Sequence, residues 1–284
     1  MSLNSDSYVL EHASVAPTEL ERLDRVHNAF TQYFEGQISL APLEDFRPEK
    51  ILEIGSGGGA WAIAAALKFP GSSVTAIDQH PIPQRDLPPN LVFQAHDISR
   101  PLPFTKGIFD IVHCRLVLLH IPKGETVLQH IAEFVRPGGW LLLEEPDDYI
   151  TDGNYGVAET TTLVRELHKI MRATGANPCI GGDLERLLRG TNSFSEVNIR
   201  KVVIPFPSAA VPLRLPEEGS VQSNLGMTWK ESYIQIARNL AQNYAMHGIT
   251  DQVLREFLED MNDPHKNLTS TIYFAWSRRK VVAN

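Results

Sequence analysis

Leu52-Glu53-Ile54-Gly55-Ser56-Gly57-Gly58-Gly59 is an apolar run that opens into glycines. It reads as a buried strand meeting a tight turn, because glycine lets a backbone bend sharply and approach a ligand closely. Residues 61–68, which follow, have a helical texture, so the first free N–H groups of that helix face whatever the turn cradles. The segment Gly55-Ser56-Gly57-Gly58-Gly59-Ala60 also satisfies the dinucleotide pattern G-x-G-x-x-A. The glycines alone therefore leave two cofactor classes open, and an ordinary tight turn as well.

Outward from this turn, short apolar runs at 51–54, 74–77, 91–93, 109–112 and 140–143 read as buried strands. Helical stretches such as 61–68 and 126–135 lie between them. Strand–helix alternation of this kind argues for an α/β fold, with a mostly parallel sheet covered on both faces. Before it, residues 17–34 read as a helix. Pro17 suits a first helical position, and Leu20, Leu23, Val26 and Phe30 recur at steps of three and four. After it, 157–173 reads as a helix, and Asp183 is placed to cap a short one running to Arg189. Residues 197–204 and 270–276 read as two further strands, with helices at 229–244 and 251–261 between them. The expected architecture is a Rossmann-like, seven-stranded, mostly parallel sheet whose last strand is antiparallel. It divides into an N-terminal helical cover (1–45), a cofactor-binding core (46–204), a helical insertion over the substrate (205–265) and a final strand and tail of the core (266–284).

Three acids narrow the cofactor. Glu53 lies two residues before the first glycine, on an otherwise apolar strand. A carboxylate there is costly without a partner. The ammonium of an amino-acid ligand is a suitable one, which S-adenosylmethionine (SAM) carries and NAD does not. Asp78 ends the next strand, where it can accept both hydroxyls of a ribose. Asp97 ends the strand after that, positioned for an adenine amino group, with Ile98 supplying a backbone N–H. An NAD-dependent oxidoreductase ranks lower, since no tyrosine here is followed four residues later by lysine. A SAM-binding regulatory protein, or a pericyclase-like enzyme without methyl transfer, stays open.

Glu53-x-Gly55-x-Gly57-x-Gly59, Asp78, Asp97, the strand Phe109 to Arg115 and the turn Arg136-Pro137-Gly138-Gly139-Trp140 resemble the class I SAM-dependent methyltransferase superfamily. Ser7-Tyr8, Glu19 to Leu23, Arg115 through His120-Ile121 and Glu144-Glu145-Pro146-Asp147 are similar to small-molecule methyltransferases of fungal and bacterial secondary metabolism. The resemblance implies cofactor contacts from Tyr8, Glu53, Gly55, Ser56, Gly57, Asp78, Gln79, Asp97, Ile98, Cys114 and Arg115. It also implies a methyl acceptor that is a small molecule bearing a hydroxyl, carboxyl or amine. His27 stands where related sequences often carry Gln.

His120, just beyond the fourth strand, is the candidate general base or substrate orienter, because an imidazole ordinarily titrates near neutrality. Arg115 is a candidate to hold a carboxylate, the alternative being an ion pair with Asp110 or Glu145. Strand alternation allows only one of Glu144 and Glu145 to face the pocket, and Glu145 is preferred as a substrate residue. His247 is a second substrate candidate, with a surface histidine the blander reading. His113 reads as structural, and Asp147-Asp148 as a solvated acidic loop. No metal motif occurs, so no metal is expected.

The 34 acidic and 26 basic residues give a net charge of −8, and the one basic run, Arg278-Arg279-Lys280, is short. Nucleic acid is therefore not an expected partner. With 43% hydrophobic residues the chain suffices for one sizeable core. No apolar run has the length of a membrane span, and two cysteines without a CxxC fit a reducing cytosol. A monomer or weak homodimer is expected.

Overall fold

The computed structural model describes residues 17–82, 85–153, 162–207 and 221–281. Seven strands form one sheet: β1 (Lys50–Ile54), β2 (Ser73–Asp78), β3 (Leu91–Ala95), β4 (Phe109–Arg115), β5 (Val135–Asp152), β6 (Phe194–Pro205) and β7 (Leu268–Arg279). Their order is β3-β2-β1-β4-β5-β7-β6. The first five run parallel, and β7 is antiparallel to both β5 and β6. The helices are α1 (Pro17–Tyr33), α2 (Ala60–Lys68), α3 (Gly124–Ala132), α4 (Thr162–Ala173), α5 (Ile180–Gly190), α6 (Val221–Asn243) and α7 (Asp251–Asn262). The expected seven-stranded α/β sheet with an antiparallel last strand is the one observed.

Alternation on β1 and β4 sorts the sheet's two faces. Leu52, Ile54, Val112 and Cys114 join one apolar cluster. Ile51 and Ile111 join the other, against Trp61, Ala62 and Ala65 of α2. Alanine-rich α2 lets the helix lie close to the strands, and it begins directly after Gly59, whose φ of 77° ends the turn. Gly55 has φ 68°, and a Cβ there would collide with Val117, so the turn has no room for another residue type.

Several boundaries differ from the sequence reading, each for a local reason. Helix α3 starts at Gly124, earlier than expected, and Val135 has already left it to pair with Phe109 in β5. Helix α5 starts at Ile180, so Asp183 lies in its first turn rather than capping it, and instead accepts from Arg186 at 2.9 Å. Helix α6 starts at Val221 rather than 229, and the added turns place Leu225 four residues before Trp229, both buried in the core. Gly226 is needed there, since a Cβ would collide with the carbonyl of Pro205. Residues 157–161 of the expected fourth helix lie outside the described residues.

Helix α1 buries the second half of the stripe its spacing suggests, and its first turns bury an ion pair instead. Glu19, Arg22, Val26, Ala29 and Phe30 are buried, while Leu20 and Leu23 are half-buried and reach over Gly58 and Gly57. The first turns of α1 are tied to the middle of α6 by Arg22 to Ser232 at 2.7 Å and by Gln235 to the Thr18 carbonyl at 2.8 Å. This pair of helices lies over the C-terminal ends of the strands. Among the described residues no helix is long and apolar enough to cross a membrane.

Candidate active site

The C-terminal ends of β1, β2 and β4 open into a cavity of about 230 Å³, roofed by α1, α4 and α6. Gly55, Ser56 and Gly57 form one wall, with Asp78 and Gln79 beside them. Asp78 braces the turn: Gly57 N donates to its Oδ2 at 2.8 Å and His80 N to its Oδ1 at 3.0 Å. Each carboxylate oxygen keeps a second lone pair that could accept a ribose hydroxyl.

Glu53 sits at the floor, 4% exposed. Its Oε1 is 3.6 Å from His113 Nδ1, and its Oε2 has no hydrogen-bond partner among the described residues. Burial raises its pKa, against the opposing pull of His113 and Arg115. An orphaned buried acceptor of this kind fits a ligand ammonium. His113 is fully buried and lies flat on Trp61, with ring centroids 3.7 Å apart. His113 stands behind Glu53 and does not line the cavity.

Arg115 lines the cavity, but its partner is neither Asp110 nor Glu145. It pairs with Glu144, approaches His27 Nδ1 at 3.3 Å and lies over the Phe30 ring. Asp110 is taken by Arg136. His27 also lines the cavity. Burial, with Arg115 nearby, lowers its pKa to about 3, so it is a neutral polar wall.

Four expected site residues fall elsewhere. Cys114 points into the opposite, apolar face of β4 and is fully buried there. Glu145 is also fully buried on that face and accepts from the amides of Val117 at 3.0 Å, Leu118 at 2.8 Å and Leu119 at 3.4 Å. It braces the loop after β4 and does not line the cavity. Alternation is right for the Glu144–Glu145 pair, but the residue facing Arg115 is Glu144. Asp97 folds back on its own turn, accepting from Ser99 N at 2.9 Å and Ser99 Oγ at 2.7 Å, and does not line the cavity, whereas Ile98 does. His247 sits in a short turn against the Tyr244 ring, away from the cavity lining. Tyr8 lies outside the described residues.

His120 is where the sequence places it, in the 3₁₀ turn Leu118–His120 and on the cavity wall. Its expected titration near neutrality is corrected. Burial lowers its pKa to about 4, with Asp148 raising it and Arg22 lowering it further.

The sequence reading missed the residues opposite. Asp148 is not on a solvated loop. It lies within β5, 7% exposed, accepting from Tyr233 Oη at 2.7 Å, with His168 Nε2 at 3.3 Å. Asp147 accepts instead from Gly182 N at 2.8 Å, since neighbouring strand residues point apart. Arg22 and Glu19 form a buried bidentate pair on α1, with Arg22 Nε to Glu19 Oε2 at 2.8 Å and Nη2 to Oε1 at 2.5 Å. Apolar walls come from Leu163, Val164 and Leu167 of α4 and from Trp229, Ile236 and Leu240 of α6. Among the described residues no cluster of His, Cys, Asp or Glu is arranged to hold a metal.

Residues 25–192 match the protein family described as a methyltransferase domain. The chain belongs to this methyltransferase family. The methyltransferase is 44% identical to methyltransferase str3 of Strobilurus tenacellus over 68% of its own length and 70% of the relative's. It is 35% identical to methyltransferase str2 of the same organism, over 90% and 91% of the two chains. Among solved structures it shares its fold with the [4+2]-cyclase SpnF, with a TM-score of 0.53, 15% identity and coverage of 89% and 81%. It is a SAM-dependent enzyme of Rossmann-like fold.

Proposed function

We propose that this methyltransferase transfers a methyl group from SAM to a small-molecule acceptor of secondary metabolism. The observation that carries this reading is one roofed cavity with a polar, glycine-walled end at β1 and β2 and an apolar end under α4 and α6. A cleft of that kind, with a few convergent polar groups, is the usual form of a small-molecule site. In this reading Glu53 Oε2 takes the ammonium of the cofactor, Asp78 the ribose hydroxyls, and Gly55, Ser56, Gly57 and Gln79 the surrounding contacts. Ile98 borders the adenine, and Arg115 with Glu144 closes the amino-acid end.

SAM supplies a methyl carbon on a sulfonium, an electrophile that needs no further activation. The chain's own work is then alignment, exclusion of water and custody of one proton. Helices α1, α4 and α6 exclude water. His120, neutral at working pH, accepts the hydrogen of the acceptor group and orients its lone pair.

The test is calorimetry with SAM and with NAD, followed by turnover with methyl-labelled SAM over hydroxylated, carboxylated and amine metabolites. SAM binding without NAD binding, and label transfer, are expected. Heat from NAD alone rejects the cofactor assignment. SAM binding with no transfer to any acceptor favours a regulatory or pericyclase-like protein. Two variants sharpen the cofactor half. Asp78→Ala removes two charge-assisted hydrogen bonds, each worth about 1–3 kcal/mol, so SAM affinity should fall by tenfold or more. Glu53→Gln keeps the shape but removes the charge, and should weaken SAM by about tenfold. It should leave binding of 5′-methylthioadenosine, which lacks the ammonium, nearly unchanged. Equal losses for both ligands would place Glu53 in a purely structural role.

A further inference from the structure

The acceptor end of the cavity carries a charge pattern that selects among acceptor groups. Arg22 is a cation there, and it is already neutralised by Glu19 in a bidentate pair and held by Ser232. Asp148 faces the same space from β5, its two oxygens held by Tyr233 and His168. His120 lies close enough to both Asp148 and Arg22 for each to act on its charge. With the Arg22–Glu19 pair balanced, Asp148 leaves this end at net −1, or at zero if His168 is an imidazolium. In neither state is a surplus cation present among the described residues. Arg115, at the other end, is paired with Glu144. The apolar walls include Leu163, Val164, Leu167, Trp229, Ile236 and Leu240.

An anion entering such a space would lose its hydration and meet Asp148 unpaired. A protonated amine would be attracted to Asp148, but its lone pair would be held as N–H. An uncharged hydroxyl meets neither difficulty: its one hydrogen is donated to His120, and its oxygen keeps a lone pair for the methyl carbon. Resting on the methyltransferase reading above, we propose that the acceptor is an apolar molecule presenting an uncharged hydroxyl, and that Asp148 together with the Glu19-neutralised Arg22 excludes carboxylates. The hydroxyl oxygen bonds to the methyl carbon as the carbon–sulfur bond breaks. The hydroxyl proton passes to the imidazole of His120, so the positive charge lost at sulfur reappears beside Asp148.

The test uses the full chain loaded with S-adenosylhomocysteine and three probes that share one apolar body: para-butylphenol, para-butylbenzoate and para-butylbenzylamine. At about pH 7 these are neutral, anionic and cationic. The phenol is expected to bind about tenfold or more tighter than the benzoate, the ratio set by one uncompensated charge. Asp148→Asn preserves the shape and should narrow that ratio to about threefold or less by admitting the benzoate. A benzoate that binds as tightly as the phenol overturns the proposal. So does a loaded protein that binds none of the three, or, in turnover with SAM, a benzylamine that is methylated faster than the phenol. An unchanged ratio in a folded Asp148→Asn protein overturns the assignment to Asp148. Failure of S-adenosylhomocysteine itself to bind is a separate result, which defeats the cofactor site and this inference with it.

Discussion

Replacing His120 by alanine is expected to cut turnover about 10²-fold, at the lower edge of the 10²–10⁴ range for a positioned proton-transfer group. SAM affinity should change by less than about twofold, since His120 lies at the acceptor end. The low edge follows from the imidazole's environment. Burial holds its pKa down to about 4, so it is a weak base but a permanent hydrogen-bond acceptor. In kcat/KM, which reports the free enzyme, His120 should contribute no rise between about pH 6 and 7. Its protonation should appear only as a fall near pH 4. His120→Gln should recover part of the lost rate, because an amide oxygen can still accept the acceptor's hydrogen. The measurements are steady-state kinetics of both variants across pH and a SAM titration. Near-wild-type turnover in the alanine variant, at saturating substrate with chemistry rate-limiting, would show that alignment alone suffices. A rising limb near pH 6.5 that vanishes in the variant would show that burial does not control this group.

What the sequence revealed and what it hid divide along locality. Glu53 and Gly55 are legible because strand end, turn and ligand chemistry lie within a few residues of each other, and Asp78 because it ends the next strand. The parallel sheet is legible because its strands are short apolar runs separated by helical stretches. Asp97 shows the limit of the same local logic. It follows a strand end as expected, but its Oδ1 accepts from Ser99 two residues on, and it does not line the cavity. Cys114 and Glu145 show that alternation gives two sets without saying which set faces the ligand. That choice is made by α2, which covers the face of Ile51 and Ile111.

The acceptor end was hidden because its contacts span the chain. Arg22 meets Ser232, 210 residues away, and Asp148 meets Tyr233, 85 residues away. Glu19 and Arg22 are three apart, the ordinary spacing of a solvent-facing helical ion pair. Only the arrival of α6 makes them buried. The pKa of His120 is a tertiary property for the same reason: nothing in Leu118-Leu119-His120-Ile121 specifies how deep the imidazole lies.

Glu145→Ala is expected to destabilise the protein by about 3–5 kcal/mol, the cost of leaving buried backbone donors without their acceptor. The cause is specific. Glu145 is fully buried and gathers three successive amides, those of Val117, Leu118 and Leu119. Without it those donors are left in an apolar interior, at about 1–3 kcal/mol for each one unsatisfied. At about 2–4 °C per kcal/mol, the melting temperature should fall by about 6–20 °C. The loop so released carries His120, so turnover should fall with stability. Burial also pushes the Glu145 pKa up to about 7, against the lowering effect of those amides and with Glu144 adding to the rise. The folded state therefore holds this proton more firmly than the unfolded chain, whose glutamate titrates near 4.5. Its stabilising contribution, on the order of 3 kcal/mol, should be complete below that unfolded value and lost as pH rises through about 7. Glu145→Gln separates the two effects. Its amide oxygen can keep the two shorter bonds, to Val117 and Leu118, and its NH₂ sacrifices the longest, to Leu119. It should thus melt above the alanine variant and lack the loss of stability between about pH 4.5 and 7. Thermal unfolding of the three proteins across that range decides the matter: an alanine variant that melts with the wild type rejects the brace, and a glutamine variant with the same pH slope assigns the slope to another group.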